Sequence, residues 1–368
     1  MNERLTPERR HRILRICLIA SSRFPICEPF AGGLESFTHA VVKKLVSRGH
    51  SVTLFAAPGS DPELGVEMMV PEHFQSSEAA QNDVSAMPEE WMRQHHAYLE
   101  LMLGLAGETK FDVIHNNSLH HLPLALSSLV RTPIVTTLHT PPTPWLESAA
   151  AFRSPSTFFA AVSSATSQSW SHALDSTLIS NGVDTNLWQA GPGGPACVWT
   201  GRMVAEKAPH IAIEAARAVG FHIALAGPIM DEEYFSSEVV PRLGDDAYYC
   251  GHLNQQQLRT LVGSSAVAVV SSQWDEPYGL VAAEALACGT PVAAFPRGGL
   301  VEVVRSDVGA LAGQLTVEAL AQAIRTAAGR DREAARKYAV EHHSLERTVS
   351  GYEALYRRAV TTVAGSAA

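Results

Sequence analysis

The sequence predicts an α/β protein built of two Rossmann-like domains whose parallel sheets face a central cleft. Three observations carry that expectation. The chain has 368 residues, more than the roughly 250–300 at which a single core stops growing. Short β-branched runs alternate with longer helical stripes, the signature of parallel strands joined by crossover helices. A Gly- and Pro-rich break, "QAGPGGPA" at Gln189–Ala196, continues neither element, and the alternation restarts after it.

In the first half, strands are expected at Ile13–Ser21, Ser51–Ala57, Asp112–His115 and Pro133–His139. Between the first two, Phe37, Val41, Val42, Leu45 and Val46 form a helical stripe within Glu35–Arg48 that Gly49 closes. A second helix is expected over Glu89–Leu105. After the break, Cys197–Thr200, His222–Ala226, Ala247–Cys250, Ala266–Ser271 and Pro291–Phe295 read as strands. Helices near Pro209–Ala218, Gln255–Gly263, Leu280–Cys288 and Thr316–Ala328 separate or follow them. A last helix near Leu345–Val360 stands outside the alternation and could pack on either domain. The division expected is 1–190, 191–345 and a terminal helix, 346–368, returning to the first domain.

Hydrophobic residues make up 46% and charged residues 18%, the balance of an ordinary globular chain. The net charge is -9, and neither half is basic: residues 1–190 hold 13 Lys+Arg against 18 Asp+Glu, and the rest 15 against 19. Nucleic acid and an anionic lipid face are therefore not expected partners. Only Arg9, Arg10, Arg12 and Arg15 form a local basic arm, and "ILRICLIA" after it is too short and too interrupted for a secretory leader. It reads as a polar tail and a first buried strand. No run approaches the ~18 apolar residues of a spanning helix. Cys17, Cys27, Cys197, Cys250 and Cys288 are scattered without a C-x-x-C pair, which suits reduced thiols in a cytoplasmic protein.

Four stretches can carry chemistry. "WDEPYGLVAAEALACG" (Trp274–Gly289) follows a strand, so Asp275, Glu276, Pro277 and Tyr278 lie at a carboxyl strand end, where open α/β sheets bind ligands. Gly279 and its followers open a helix whose free N–H groups and dipole favour an anion. Glu284 is the one charged group on that apolar helix. Either a sugar's hydroxyls satisfy it, or it pairs with an Arg or reaches solvent. "TGRMVAEKAP" (Thr200–Pro209) sets Arg202 and Lys207 beside another helix start, a place for a diphosphate or an ordinary surface pair. "PFAGGLE" (Pro29–Glu35) lets a backbone come close to a ligand at Gly32 and Gly33, or is a plain turn. "VTTLHTPP" puts His139 at a strand end, as a cleft residue or a structural histidine. His115, His120 and His121 lack metal-ligand spacing and are expected at polar cleft edges or the surface. No G-x-G-x-x-G and no suitably placed D-x-D occurs.

Taken in order, the Gly-Gly, "RGHSVTLFA", "DVIH", "TTLHT", "ISNGVDTNLW", "GRMVAEK" and the pair Glu276 and Glu284 resemble the retaining glycosyltransferases numbered four in the usual sequence classification. Those enzymes have the two-domain GT-B fold, with the acceptor on the first domain and the nucleotide-sugar donor on the second. The resemblance implies that Glu276 lies by the donor sugar and that backbone groups of Tyr278, Gly279, Leu280 and Val281 hold sugar and phosphate. It implies that Glu284 binds the ribose hydroxyls, Arg202 and Lys207 the diphosphate, and that Gly33 lies near the phosphate. His139 matches a residue near a sugar hydroxyl and the reacting centre, and the loop Cys250–Leu253, with Leu253, matches one whose backbone meets the base. Two departures stand out. Ala208 replaces a glycine common after the lysine, and "LAGPIMDE" lacks a second glycine usual there.

The N-terminal pattern looks closest to the branch containing an avilamycin-pathway glycosyltransferase. The expected activity is metal-independent, retaining transfer by front-face attack, from a nucleotide-diphosphate sugar, UDP favoured, to a small-molecule or glycan acceptor. The donor is a co-substrate, and no cofactor or metal is expected. A nucleotide-sugar epimerase, or a nucleotide-sugar-binding protein without turnover, is the alternative; a dehydrogenase would need the missing fingerprint. Acceptor contacts are expected in Ala57–Trp91 and Asn116–Leu122.

Overall fold

The computed structural model describes residues 13–70, 76–107 and 110–366, and contains two parallel sheets. The basic residues Arg9, Arg10 and Arg12, and part of the expected acceptor loop at 71–75, lie outside the described residues. The first sheet has strands β1 (Arg15–Ile19), β2 (Ser51–Ala56), β3 (Val66–Met68), β4 (Val113–Asn116), β5 (Ile134–Leu138), β6 (Thr157–Ala161) and β7 (Thr177–Leu178). Their order is β3-β2-β1-β4-β5-β6-β7, every pair parallel. The second sheet has β8 (Cys197–Thr200), β9 (Ile223–Ala226), β10 (Ala247–Tyr249), β11 (Val267–Val270), β12 (Val292–Ala294) and β13 (Gly309–Leu311). Its order is β10-β9-β8-β11-β12-β13, again all parallel.

Both orders reverse direction once, between β1 and β4 and between β8 and β11, and the reversal opens a crevice at the carboxyl strand ends. β1, β4, β5, β8, β9, β11 and β12 are buried almost throughout, as strands covered on both faces must be. The longer helices are α1 (Gly33–Ser47), α2 (Glu89–Ala106), α3 (Pro209–Ala218), α4 (Gln255–Gly263), α5 (Leu280–Ala287), α6 (Val317–Ala328), α7 (Arg332–His342) and α8 (Leu345–Ser366). α7 packs on α5 through Ala335, Tyr338 and Ala339.

The chain then crosses over. α8 lays Val349, Tyr352, Leu355, Tyr356 and Ala359 on the first sheet and α1, among Ile16, Phe37, Val41 and Val42. Polar bonds fix its register: Tyr356 OH lies 2.7 Å from His115 Nδ1, and Tyr352 OH 3.0 Å from Thr137 Oγ1. At its first turns Glu353 bridges Arg48 and His50, and Glu346 pairs with Lys44 and Arg48. His115 is thus neither cleft edge nor surface, contrary to the sequence reading. It is fully buried, and its second nitrogen meets Thr137 Oγ1 at 2.8 Å. Desolvation pushes its pKa down to about 3, so the ring is neutral.

Gln189–Ala196 holds no helix or strand, yet it is packed: a Cβ on Gly191 would stand 2.4 Å from the Gly263 carbonyl oxygen. β3, β6, β7 and β13 were not anticipated from the sequence. All five cysteines are free thiols, and no described helix is long and apolar enough to cross a membrane.

Candidate active site

A cleft of about 560 Å³ lies at the two switch points, lined from both sheets. Loops after β1 and β5 bring Gly33 and His139 to it, and loops after β8, β10 and β11 bring Arg202, Lys207, Leu253, Glu276 and Tyr278. Gly279, Leu280, Val281 and Glu284 at the start of α5 complete the set, so all the residues to which the sequence resemblance gave a role line one cavity, whereas Asp275, His115 and His121 do not.

The starts of α1 and α5 line the cleft. α1 begins after Gly32, α3 after Ala208 and α5 after Gly279, and none of the three has a side-chain cap. α4, α6 and α7 are capped by Asn254, Thr316 and Asp331. First-turn amides of an uncapped helix need another acceptor. Gly279 has φ +97°, a left-handed conformation in which a side chain is strained. A Cβ there would also meet Leu300 Cδ2 at 2.5 Å. Gly279→Ala is therefore expected to cost about 1–2 kcal/mol of stability and to misplace the Leu280 and Val281 amides. Thermal melts with and without UDP check both effects; an unchanged melting temperature and an unchanged UDP-induced shift contradict them.

Both cations have carboxylate partners within the protein. Lys207 Nζ forms a short ion pair with Glu276 and stands 5.0 Å from the Trp274 ring centroid. Both partners are largely buried, at 17% and 10% side-chain exposure. Arg202 meets Glu206 at 3.4 Å and is more open. Glu35, on the first turn of α1, is also buried against this group. Burial raises its carboxyl pKa, and the nearby Arg202 charge opposes that rise. Ala208, where a glycine is common, has φ +48° and no exposed surface. The backbone conformation that favours glycine is kept here with an alanine in it.

Glu284 has no hydrogen-bond or ion-pair partner among the described residues, and desolvation raises its pKa to about 8. The pairing with an Arg left open by the sequence is not made. Tyr278 turns its side chain away to His343, with OH 2.7 Å from Nδ1, so what it offers the cleft is backbone. His139 Nε2 lies 2.6 Å from Asn117 Oδ1, Phe37 packs edge-on at 5.7 Å, and burial pushes the imidazole down to about 3.

On the first-domain side Tyr98, Leu119 and His120 line the opening. Tyr98 and His120 stack at 4.1 Å, His120 on His121 at 4.5 Å, and His121 on the exposed Trp145 at 4.9 Å. His120 thus sits at the cleft edge with His121 stacked behind it, and no cluster of three metal-ligating side chains occurs among the described residues. Asn117, Glu35 and Trp274 were not singled out from the sequence. Only Asn117, one residue beyond a strand end in "DVIHNN", carried a positional signal.

Two family models match the chain. Residues 31–187 match Glycosyltransferase Family 4, and residues 191–341 match Glycosyl transferases group 1. Glycogen synthase of Mycobacterium tuberculosis (strain CDC 1551 / Oshkosh) is 26% identical over 361 residues, covering 85% of this chain and 86% of that protein. Among solved structures, Anabaena Alr3699/HepE in complex with UDP-glucose has TM-score 0.71 at 19% identity, over 93% of this chain and 99% of that one. AviGT4, a glycosyltransferase involved in Avilamycin A biosynthesis, has TM-score 0.70 at 22% identity, over 95% and 98%.

Proposed function

The chain belongs to the family 4-type glycosyltransferases, its first domain matching Glycosyltransferase Family 4 and its second Glycosyl transferases group 1, and from that premise we propose that it is a retaining enzyme moving a sugar from a UDP-sugar to an acceptor hydroxyl. The observation that carries this reading is the convergence of Arg202, Lys207, Glu276, Glu284 and the uncapped starts of α1 and α5 in one cleft. On this reading residues 191–345 hold the donor and residues 1–190 the acceptor, a small molecule or glycan seated near Tyr98, Leu119 and His120. The UDP-glucose held by the Anabaena neighbour supports uridine as the base.

The diphosphate takes the charge of Arg202, Lys207 and the amides at the α1 and α5 starts. In doing so it competes with Glu276 for Lys207, which releases the Glu276 carboxylate to accept hydroxyls of the sugar. Glu284 accepts the ribose hydroxyls, and the backbone after Glu276 and near Leu253 lies along sugar, phosphate and base. The acceptor oxygen attacks the anomeric carbon on the face from which the diphosphate departs. The carbon–oxygen bond to the diphosphate breaks, and the acceptor's proton passes to the departing diphosphate oxygen. His139 stands at the sugar hydroxyls. The protein's contribution is orientation and stabilisation of charge growing on the leaving group.

A thermal-shift panel of UDP-, GDP- and dTDP-sugars identifies the donor, since a ligand bound only by the folded state raises its melting temperature. The labelled donor that stabilises most is then followed for transfer with the anomeric configuration kept. Isomerisation of the sugar without transfer, or binding alone, contradicts the reading. Because side-chain cations meet the leaving group, turnover is expected to persist in excess EDTA. Loss of activity there, restored only by magnesium or manganese, shows that the cations do not suffice.

A further inference from the structure

His139 is held by a chain of hydrogen bonds whose direction can be read from its far end. Thr38, in α1, donates its hydroxyl to the Leu34 carbonyl at 2.7 Å, the local back-bond usual for a helical threonine. With its proton committed, Thr38 Oγ1 can only accept, and Asn117 Nδ2 stands 2.7 Å from it. The Asn117 amide is thereby oriented. Its carbonyl oxygen faces His139 Nε2 at 2.6 Å, so that nitrogen carries the hydrogen. Thr38 and Asn117 have no exposed surface, so no water competes and an unmade bond would be costly.

The other ring nitrogen is then bare. Nδ1 has no partner among the described residues and is not among their buried, unpaired atoms, so it opens on the cleft the ring lines. The imidazole is neutral near pH 7 because burial disfavours its charge. A neutral imidazole is donor on one side and acceptor on the other, and the bond made on one side sets the other.

We infer that Asn117 and Thr38 are positioning residues that hold His139 as the Nε2–H tautomer, so that its Nδ1 accepts from a donor-sugar hydroxyl and the site selects against a carboxylate at that position. A hydroxyl supplies the hydrogen that Nδ1 needs. A carboxylate supplies none and sets two acceptors against each other, and a deoxy position leaves Nδ1 unpaired. The selectivity rests on the reading of the chain as a UDP-sugar transferase; the tautomer does not.

Long-range proton–nitrogen spectra of the ligand-free protein labelled with ¹⁵N-histidine test the tautomer, His139→Gln identifying the signal. The parent is expected to show hydrogen on Nε2 alone, and Asn117→Leu a mixture or the Nδ1–H form. Thr38→Val, which only frees the amide to turn, gives the same readout with less disturbance should the first variant not fold. Hydrogen on Nδ1 in the parent, or an unchanged ring in both variants, overturns the relay. UDP-glucose and UDP-glucuronate then serve as probes in competition. The parent's preference for UDP-glucose is expected to shrink by about tenfold in Asn117→Leu, with affinity for UDP itself unchanged. An unaltered preference overturns the selectivity. If neither probe binds while the spectra come out as expected, the UDP-sugar reading falls and the relay stands.

Discussion

Replacing Arg202 or Lys207 with Met is expected to lower turnover by about a hundredfold or more, the cost of removing a preorganised charge-stabilising group, with a smaller change in donor affinity. Charge on the diphosphate grows as the glycosidic bond breaks, so a cation beside it is worth more in the transition state than in the bound donor. Met keeps much of the bulk and removes only the charge. The two positions differ in surroundings. Lys207 is largely buried and paired with Glu276, whereas Arg202 is 38% exposed and meets Glu206 at 3.4 Å.

Lys207→Met is therefore the more damaging change, because it also strands a buried carboxylate facing the diphosphate. Adding Glu276→Gln removes that repulsion, and the double variant is expected to bind donor better than Lys207→Met alone. Such non-additivity marks a coupled pair. Calorimetric titration of the donor beside steady-state rates separates binding from turnover. Folded single variants with parental rates would show that neither cation stabilises the leaving group.

The elements easiest to read were those that local chemistry determines. Cys197–Thr200 is a short apolar run against a Gly-Pro break, and Pro209–Ala218 starts with a proline at its first turn, so both ends were legible. β7 and β13 are two- and three-residue edge pairings, too short to leave a period. β6 carries Phe158 and Phe159 but ends in Ala160 and Ala161, which no strand pattern distinguishes from helix. The charged part of the cleft was legible because Arg, Lys and Glu beside helix starts are informative residue types.

Its support was not legible. Asn117 meets Thr38 across 79 positions and His115 meets Tyr356 across 241, and nothing local to either segment signals such a partner. The misplacement of His115 has this cause. A histidine at a strand end looks like a cleft residue until the terminal helix is known to cover it.

Glu284→Ala is expected to weaken nucleotide-sugar binding by about tenfold or more, since hydrogen bonds to a charged group are worth roughly 1.5–3 kcal/mol. The pH dependence makes the expectation more specific. Desolvation raises the Glu284 pKa to about 8, so near pH 7 the group is mostly protonated. The ribose diol donates hydrogen bonds that favour the carboxylate, so binding releases a proton and affinity rises with pH until about 8, then levels. An intact UDP-sugar is the ligand to titrate, because free UDP has a terminal phosphate ionising near pH 6.

In the unliganded protein the linkage acts on folding. The raised pKa contributes stability that is full below the ordinary carboxylate value and is lost as pH rises through about 8. Glu284→Gln, which never ionises, is expected to melt above the parent by a margin that widens over that range. Calorimetry in buffers of different ionisation enthalpy counts the released proton, and Glu284→Ala should release none. Parental affinity in a folded Glu284→Ala, with the same rise toward pH 8, would remove Glu284 from the ribose and leave its carboxyl in the cleft wall without a function.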